Sequence, residues 1–120
     1  MITREFAVPF AKDWIASWNS HNLERILSHY SDDFEMSSPY IAQMAGEPSG
    51  VLKGKAAVAA YWAHALERLP TLHFALHSVL VGAGSLVIYY QGVNGMAAEM
   101  CVFDANGKVV RSHAHYAEQV

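Results

Sequence analysis

The chain has 120 residues, of which 52% are hydrophobic and 16% are charged, and its formal net charge is −3. This length predicts one domain with a core that needs no disulfide or metal, and the apolar content excludes a disordered chain. The slight acidic excess differs from the basic surface charge of a typical nucleic-acid-binding protein. No apolar run is long enough for a membrane helix. The mixed charges of the N-terminus are not those of a signal peptide. Because Cys101 is the only cysteine, no internal disulfide is possible, and we expect a reducing, cytoplasmic compartment. From the net charge and the patterning we expect neither a nucleic-acid nor a membrane partner.

The N-terminal segment predicts a helix with one aromatic face. Four aromatic residues recur there at intervals of four, namely Phe6, Phe10, Trp14 and Trp18. This spacing places them on the same side of a helix. Pro9 either interrupts this helix or belongs to its first turn, because proline lacks the amide hydrogen that an inner turn uses.

A second helix, a short strand and a loop are predicted next. Asn22 is a suitable cap for a helix through about Tyr30, and residues 31–33 (Ser-Asp-Asp) are expected to form a turn rather than a pair of catalytic carboxylates. Residues 34–38 alternate like a short strand that ends before Pro39. Residues 40–54 contain Pro48 and three glycines, which predicts a long irregular loop of the kind that often forms a lid.

A third helix is predicted from about Lys55 to Leu69, ended by Pro70. Its apolar stripe has helical spacing and comprises Val58, Tyr61, Trp62, Ala65, Leu66 and Leu69. After Pro70 the apolar period changes to two, and the pairs Asn94-Gly95 and Asn106-Gly107 are strong hairpin signals. The second half is therefore predicted to be a meander of four antiparallel strands. Helices followed by strands predict an α+β fold, in which helices cover one face of a curved sheet.

The last two strands indicate which side chains share a face. In the third strand of the meander, one face carries Glu99, Cys101 and Phe103, and the opposite face carries Met100 and Val102. In the last strand, one face carries Val110, Ala114 and Tyr116, and the opposite face carries Arg111, His113 and His115. One face therefore carries an acid among apolar groups, while the other is itself partly apolar. We expect another copy of the chain to cover the second face, so that the protein is a homodimer through the outer side of its sheet.

Several segments resemble the nuclear transport factor 2-like superfamily, and in particular its SnoaL-like and ketosteroid isomerase-like branch. They are Trp18–Leu23, His29–Phe34, Leu52–Lys55 with Ala57–Val58, and Asp104–Val110. The resemblance covers essentially the whole chain. It implies a cone-shaped α+β barrel of the cystatin-like type, with three N-terminal helices packed on a curved, mostly antiparallel sheet. The superfamily includes isomerases, cyclases, dehydratases, hydrolases and non-catalytic proteins, so the fold does not define the function.

The resemblance also implies which positions correspond to the isomerase site. In those enzymes a tyrosine of the first helix and a protonated acid of the third meander strand form an oxyanion hole, and an aspartate after the first strand moves the proton. The corresponding residues in this chain are Trp14, Glu99 and Ser38. Trp14 can donate a hydrogen bond but cannot ionise, and Ser38 cannot act as a base without help. Steroid isomerisation by the usual mechanism is therefore not expected.

Glu99 is the main candidate for chemistry. A lone acid on an apolar strand face loses hydration, which raises its pKa and suits it to proton transfer; the alternative is that it reaches the mouth of the cone or bonds a buried tyrosine. We expect Tyr61 and Trp14 to donate hydrogen bonds toward a developing enolate, and Ser38 to be a polar lining residue. The predicted ligand-binding lining, part of which must be core, is Trp18, Tyr30, Phe34, Met36, Trp62, Phe74, Cys101, Phe103 and Tyr116.

Other reactive residues are interpreted as structural. His113 and His115 have a spacing that can chelate, but no acid or cysteine completes the set, so we expect neither a metal nor a cofactor. Cys101 beside Glu99 is more typical of a small buried apolar residue than of a nucleophile.

The sequence thus predicts a pocket for a small apolar, carbonyl-bearing molecule, with Glu99 assisting an isomerase, cyclase or dehydratase reaction. The alternatives are a non-catalytic ligand-binding or accessory module and a purely structural dimer.

Overall fold

Helices and strands are packed as two layers in the computed structural model, which describes residues 1–120. The helices are α1 (Arg4–Ser20), α2 (Leu23–Leu27), α3 (Pro39–Met44) and α4 (Lys55–Arg68). The strands are β1 (Tyr30–Ser37), β2 (Val51–Lys53), β3 (Ala75–Val81), β4 (Ser85–Gly92), β5 (Gly95–Phe103) and β6 (Val109–Tyr116). None of the helices is long and apolar enough to cross a membrane.

The predicted α+β class and the meander are confirmed. The strands form one curved, unclosed sheet of six in the order β2-β1-β6-β5-β4-β3. All neighbouring pairs are antiparallel except β1 and β6, which are parallel. This crossover brings the first strand against the last one, so that residues far apart in sequence meet in the middle of the sheet.

Helix α1 runs through Pro9 without interruption. Its cap is Thr3, whose hydroxyl accepts from the amide of Phe6 at 3.2 Å. Pro9 lies on the exposed side, where water can satisfy the carbonyl that would otherwise bond its missing amide hydrogen. Trp14 and Trp18 are buried against the sheet, and the aromatic spacing thus predicted the helix and its inward face.

The first strand begins earlier than predicted. The cap at Asn22 is confirmed, since its Oδ1 accepts from the amide of Arg25 at 3.1 Å, but α2 ends at Leu27 and β1 starts at Tyr30. The expected turn over residues 31–33 is wrong, because these residues lie within β1 at a shift in its register with β6. This irregularity disrupts the alternation, so a bulged stretch with exposed aspartates was interpreted as a turn.

Residues 40–54 are not one long irregular loop. Ser38 caps α3 by accepting from the amide of Tyr40 at 3.1 Å, and Pro39 occupies the start of that helix, a position at which proline is favoured. β2 then pairs with β1. Gly50 has a φ of +73° and its carbonyl accepts from the amide of Ser38 at 2.9 Å, so the turn closes directly against the cap.

A second register shift corrects the predicted face of Val110. Val109 pairs with Phe103 and Arg111 pairs with Val102, which makes Val110 the extra residue of a bulge. As a result Val109 is fully buried while Val110 is only half-buried. Further along β6, Ser112 and Ala114 are buried on the inner side of the sheet.

The polar residues after α1 fasten the segment that leads into β3. Asn19 exchanges two hydrogen bonds with the backbone of Phe74, donating to its carbonyl at 2.9 Å and accepting from its amide at 2.7 Å. His21 Nε2 lies 2.8 Å from the carbonyl oxygen of Leu72. These side chains make the backbone hydrogen bonds that a neighbouring strand would otherwise make, and they hold residues 72–74 against the end of α1.

Candidate functional site

A cavity of about 500 Å³ lies between the helices and the inner face of the sheet. Of its 22 lining residues, 16 are hydrophobic. Eight of the lining residues are aromatic, namely Trp14, Trp18, Tyr40, Tyr61, Trp62, Phe74, Tyr90 and Tyr116. Exposed residues, among them Met44, Arg68 and Glu118, surround the mouth. A mostly apolar cavity of this size suits a small ligand.

Glu99 lies on the wall of this cavity with an exposed fraction of only 3%. Its cross-strand neighbours are Ile88 on β4 and Ala114 on β6, neither of which can bond its side chain, and its Oε2 has no hydrogen-bond partner. Burial raises the pKa of Glu99 to about 8, although the hydroxyl of Ser112 opposes the rise. At neutral pH this side chain is therefore mostly a neutral carboxylic acid that can donate a proton.

Three tyrosine hydroxyls belong to the surroundings of this acid. Tyr61, Tyr90 and Tyr116 line the cavity. Burial raises the pKa of each, and the nearby Glu99 carboxyl contributes to each rise. Their phenols are therefore neutral hydrogen-bond donors across the physiological pH range.

Trp14 places its ring in the cavity wall but directs its donor elsewhere. Its Nε1 donates to the hydroxyl of Tyr30 at 2.9 Å. Tyr30 is itself only 1% exposed and packs on Phe34, with ring centroids 4.4 Å apart. The expected hydrogen bond from Trp14 to an enolate is therefore corrected, because the core already uses this indole N–H.

Ser38 does not line this cavity. It is 4% exposed, it caps α3, and its hydroxyl is 3.5 Å from that of Tyr116. Hydrogen bonding from Ser38 also opposes the rise in the pKa of Tyr61 and of Tyr116. Its influence on a ligand would thus pass through these two phenols.

The structure brings only part of the predicted lining together. Five predicted residues line the cavity: Trp18, Met36, Trp62, Phe74 and Tyr116. Four predicted residues do not: Tyr30, Phe34, Cys101 and Phe103. The first three of these are fully buried in the core, and Phe103 instead packs edge-on against Phe6 and Phe10 at centroid distances of 5.2 and 4.9 Å. Alternation along a strand reports the face of a residue, but not whether the space above it is filled.

Some lining residues were missed in the sequence. Tyr90 shares the inner face of β4 with the buried Leu86 and Ile88, a period-two signal that could have identified it. Met96 and Arg68 also line the cavity. Neither gives such a signal, since Met96 starts the outward-facing set of β5 and Arg68 ends a helix.

His113, His115 and Cys101 lie apart from one another in their contacts. Nδ1 of His113 is 2.6 Å from the hydroxyl of Ser37, and His115 is exposed. No group of three or more histidine, cysteine, aspartate or glutamate side chains lies close enough together to hold a metal ion. Burial, with a further contribution from Glu99, raises the pKa of Cys101, which disfavours the thiolate that a nucleophile requires.

Comparisons with known proteins agree with this architecture. Residues 11–117 match the family described as the SnoaL-like domain. A solved structure of a SnoaL-like protein of unknown function from Burkholderia thailandensis is 51% identical, superimposes with a TM-score of 0.95, and is matched over 98% of both chains. No significant match to a curated protein was found.

More distant structures share the fold. A cystatin-like protein of unknown function from Methylobium petroleophilum is 20% identical, with a TM-score of 0.73 over 99% of this chain and 80% of that one. A protein from Agrobacterium tumefaciens described as a candidate isomerase of the SnoaL-like family is 13% identical, with a TM-score of 0.71 over 92% of this chain and 96% of that one. The match over residues 11–117 and the 51% identical structure show that the chain belongs to the SnoaL-like domain family.

Proposed function

We propose that the protein binds a small apolar molecule with a carbonyl group and that Glu99 assists proton transfer on it, in an isomerase, cyclase or dehydratase reaction. The observation that supports this most directly is a neutral carboxyl with one unpartnered oxygen, on a residue that lines an aromatic cavity. A buried acid of this kind has lost favourable hydration, and a ligand oxygen placed beside it would restore a hydrogen bond.

The chemistry follows from where negative charge develops. When a proton leaves the carbon next to a carbonyl, charge moves to the carbonyl oxygen, and a protonated Glu99 can donate to that oxygen. The effect is strong in an apolar cavity, because no water competes for the charge. The hydroxyls of Tyr61 and Tyr90 are further donors in the same wall. We assign no side-chain base for the carbon-bound proton, so the role proposed for Glu99 is hydrogen-bond donation to the carbonyl oxygen.

A non-catalytic ligand-binding or accessory module is the second candidate. The observation that favours it is the position of Ser38, which replaces the isomerase base in the resemblance and is occupied with capping α3. Under this hypothesis the cavity holds its ligand by apolar contact, and Glu99 has no catalytic role.

Binding of a fluorescent naphthol, a mimic of the enolate, across pH 5–9 tests the proposal. The affinity of the wild type is expected to fall about 10-fold as Glu99 ionises around pH 8. The ionised carboxylate cannot donate a hydrogen bond and is further desolvated by the bound ring. Glu99→Gln is the matched control, because it keeps the shape but cannot titrate, so a pH dependence that only the wild type shows depends on the carboxyl of Glu99. A naphthol affinity that changes neither with the pH nor with the substitution would favour the non-catalytic module.

We also propose a cytoplasmic homodimer that buries the outer face of the sheet. One row of cross-strand neighbours on that face is Leu80, Val87, Met100 and His113, and Leu80 is 55% exposed. A single buried Cys101 supports the reducing compartment. Sedimentation at micromolar concentration is expected to give a dimer, and Leu80→Glu is expected to shift it to monomer because it places a charge in the apolar row. A wild type that sediments only as monomer would contradict the interface.

A further inference from the structure

Two residues that line the cavity each carry a buried polar atom with no partner within the protein. These atoms are Nε1 of Trp18 and Oε2 of Glu99, and no other buried side-chain nitrogen or oxygen is left without a hydrogen bond. Trp18 is 7% exposed and Glu99 is 3% exposed, and both line the same cavity. Folded proteins satisfy nearly all buried polar atoms. An unsatisfied donor and an unsatisfied carboxyl oxygen in one cavity therefore point to a ligand that supplies their partners.

Helix α1 contains a direct comparison for the indole of Trp18. Trp14 lies one turn earlier on the same face, and its N–H is satisfied by the hydroxyl of Tyr30 at 2.9 Å. Trp18 instead has rings as neighbours, with Trp62 edge-on at a centroid distance of 5.2 Å and Phe74 at 5.8 Å. Aromatic faces are weak hydrogen-bond acceptors. Trp18 thus keeps a strong donor that no oxygen of the protein uses.

We propose that the Trp18 N–H anchors an acceptor oxygen of the ligand, separate from the oxygen that Glu99 serves. The chemical class that fits is a flat aromatic molecule with two oxygen functions, one directed to α1 and one to β5. Flat walls from Trp14, Phe74 and Tyr90 complement such a ring system. This inference rests on the proposed function for the presence of a ligand in the cavity, but it assigns Trp18 to binding and specificity, not to proton transfer.

The test compares chromone with naphthalene. Chromone is a flat bicyclic molecule with a carbonyl and a ring oxygen at opposite positions, it cannot enolise, and naphthalene has a similar shape without oxygen. The ratio of their affinities is measured for the wild type, Trp18→Phe and the control Phe103→Leu. We expect the preference for chromone to fall about 10-fold in Trp18→Phe. It should persist in Phe103→Leu, which removes an aromatic ring that packs on Phe6 and Phe10 and does not line the cavity.

A second measurement needs no substitution. The NMR signal of the Trp18 indole N–H is assigned by correlation with the backbone of the same residue. In the wild type, hydrogen exchange of this N–H is expected to slow more with chromone than with naphthalene at equal occupancy. An unchanged affinity ratio in Trp18→Phe, equal protection by the two probes, or failure of chromone to bind the wild type would overturn the inference. If Glu99→Gln still abolishes turnover in that case, the proposed function stands without it. A Trp18-dependent preference in a protein without turnover would instead support the binding role alone.

Discussion

Replacing Glu99 with glutamine is expected to slow α-proton exchange of an enolisable bicyclic ketone by about 100-fold or more, the usual size of a lost acid–base group. The wild-type rate should also decline as the pH rises through about 8, where Glu99 loses the proton that it donates. The variant should show no such decline, because an amide does not titrate. The measurement follows deuterium uptake from heavy water by proton NMR over a small set of such ketones.

The control for this experiment is Glu67→Gln. Glu67 lies on the exposed side of α4 and outside the cavity, so the same chemical change there should leave the rate unchanged. If Glu99→Gln exchanged protons as fast as the wild type on every ketone that the wild type accepts, Glu99 would not be the donor. The non-catalytic module would then be the better description of the protein.

The second large effect is on stability. Glu99 titrates at 4.5 in the unfolded chain and at about 8 in the folded protein. The folded state thus holds a proton that the unfolded state releases. The stability that this provides is complete below pH 4.5 and is lost as the pH rises through about 8. Relative to Glu99→Gln, the wild type is expected to lose roughly 5 kcal/mol of unfolding free energy across this window.

Urea denaturation of both proteins from pH 4.5 to 9 measures this difference directly. Using the glutamine variant as reference cancels the titration of all other groups, and the difference should level off once Glu99 is ionised in both states. Parallel stability curves for the two proteins would contradict the prediction, since they would mean that the carboxyl ionises as readily in the cavity as in water.

The architecture was largely predictable because its signals are local. The spacing of Trp14 and Trp18 identified the buried face of α1, and the turn pairs at Asn94 and Asn106 delimited the meander. Glu99 was placed on the inner face by simple alternation along β5. Each of these inferences needs only the geometry of one element, namely 3.6 residues per helical turn or two per strand repeat.

The parts that could not be predicted depend on contacts between distant segments. Whether the bulge at Val110 forms is decided by the pairing of β6 with β5, and the exposed Asp32 lies where the register between β1 and β6 shifts. The partner of the Trp14 indole is Tyr30, on another element. Sequence alternation also cannot distinguish the filled part of the core from the open cavity, which is why Tyr30 and Cys101 were expected in the lining.

The parallel pair of β1 and β6 has a consequence for how the chain folds. β5, which carries Glu99, has β4 on one edge and β6 on the other, and β1 is connected to β5 only through β6. Until residues 109–116 are paired, β1 and β5 each have an unpaired edge, and Glu99 lacks its cross-strand neighbour Ala114. Non-local pairing of this kind is slow compared with helix formation. We therefore expect the cavity and its dehydrated acid to form late in folding, when β6 pairs with both of its neighbours.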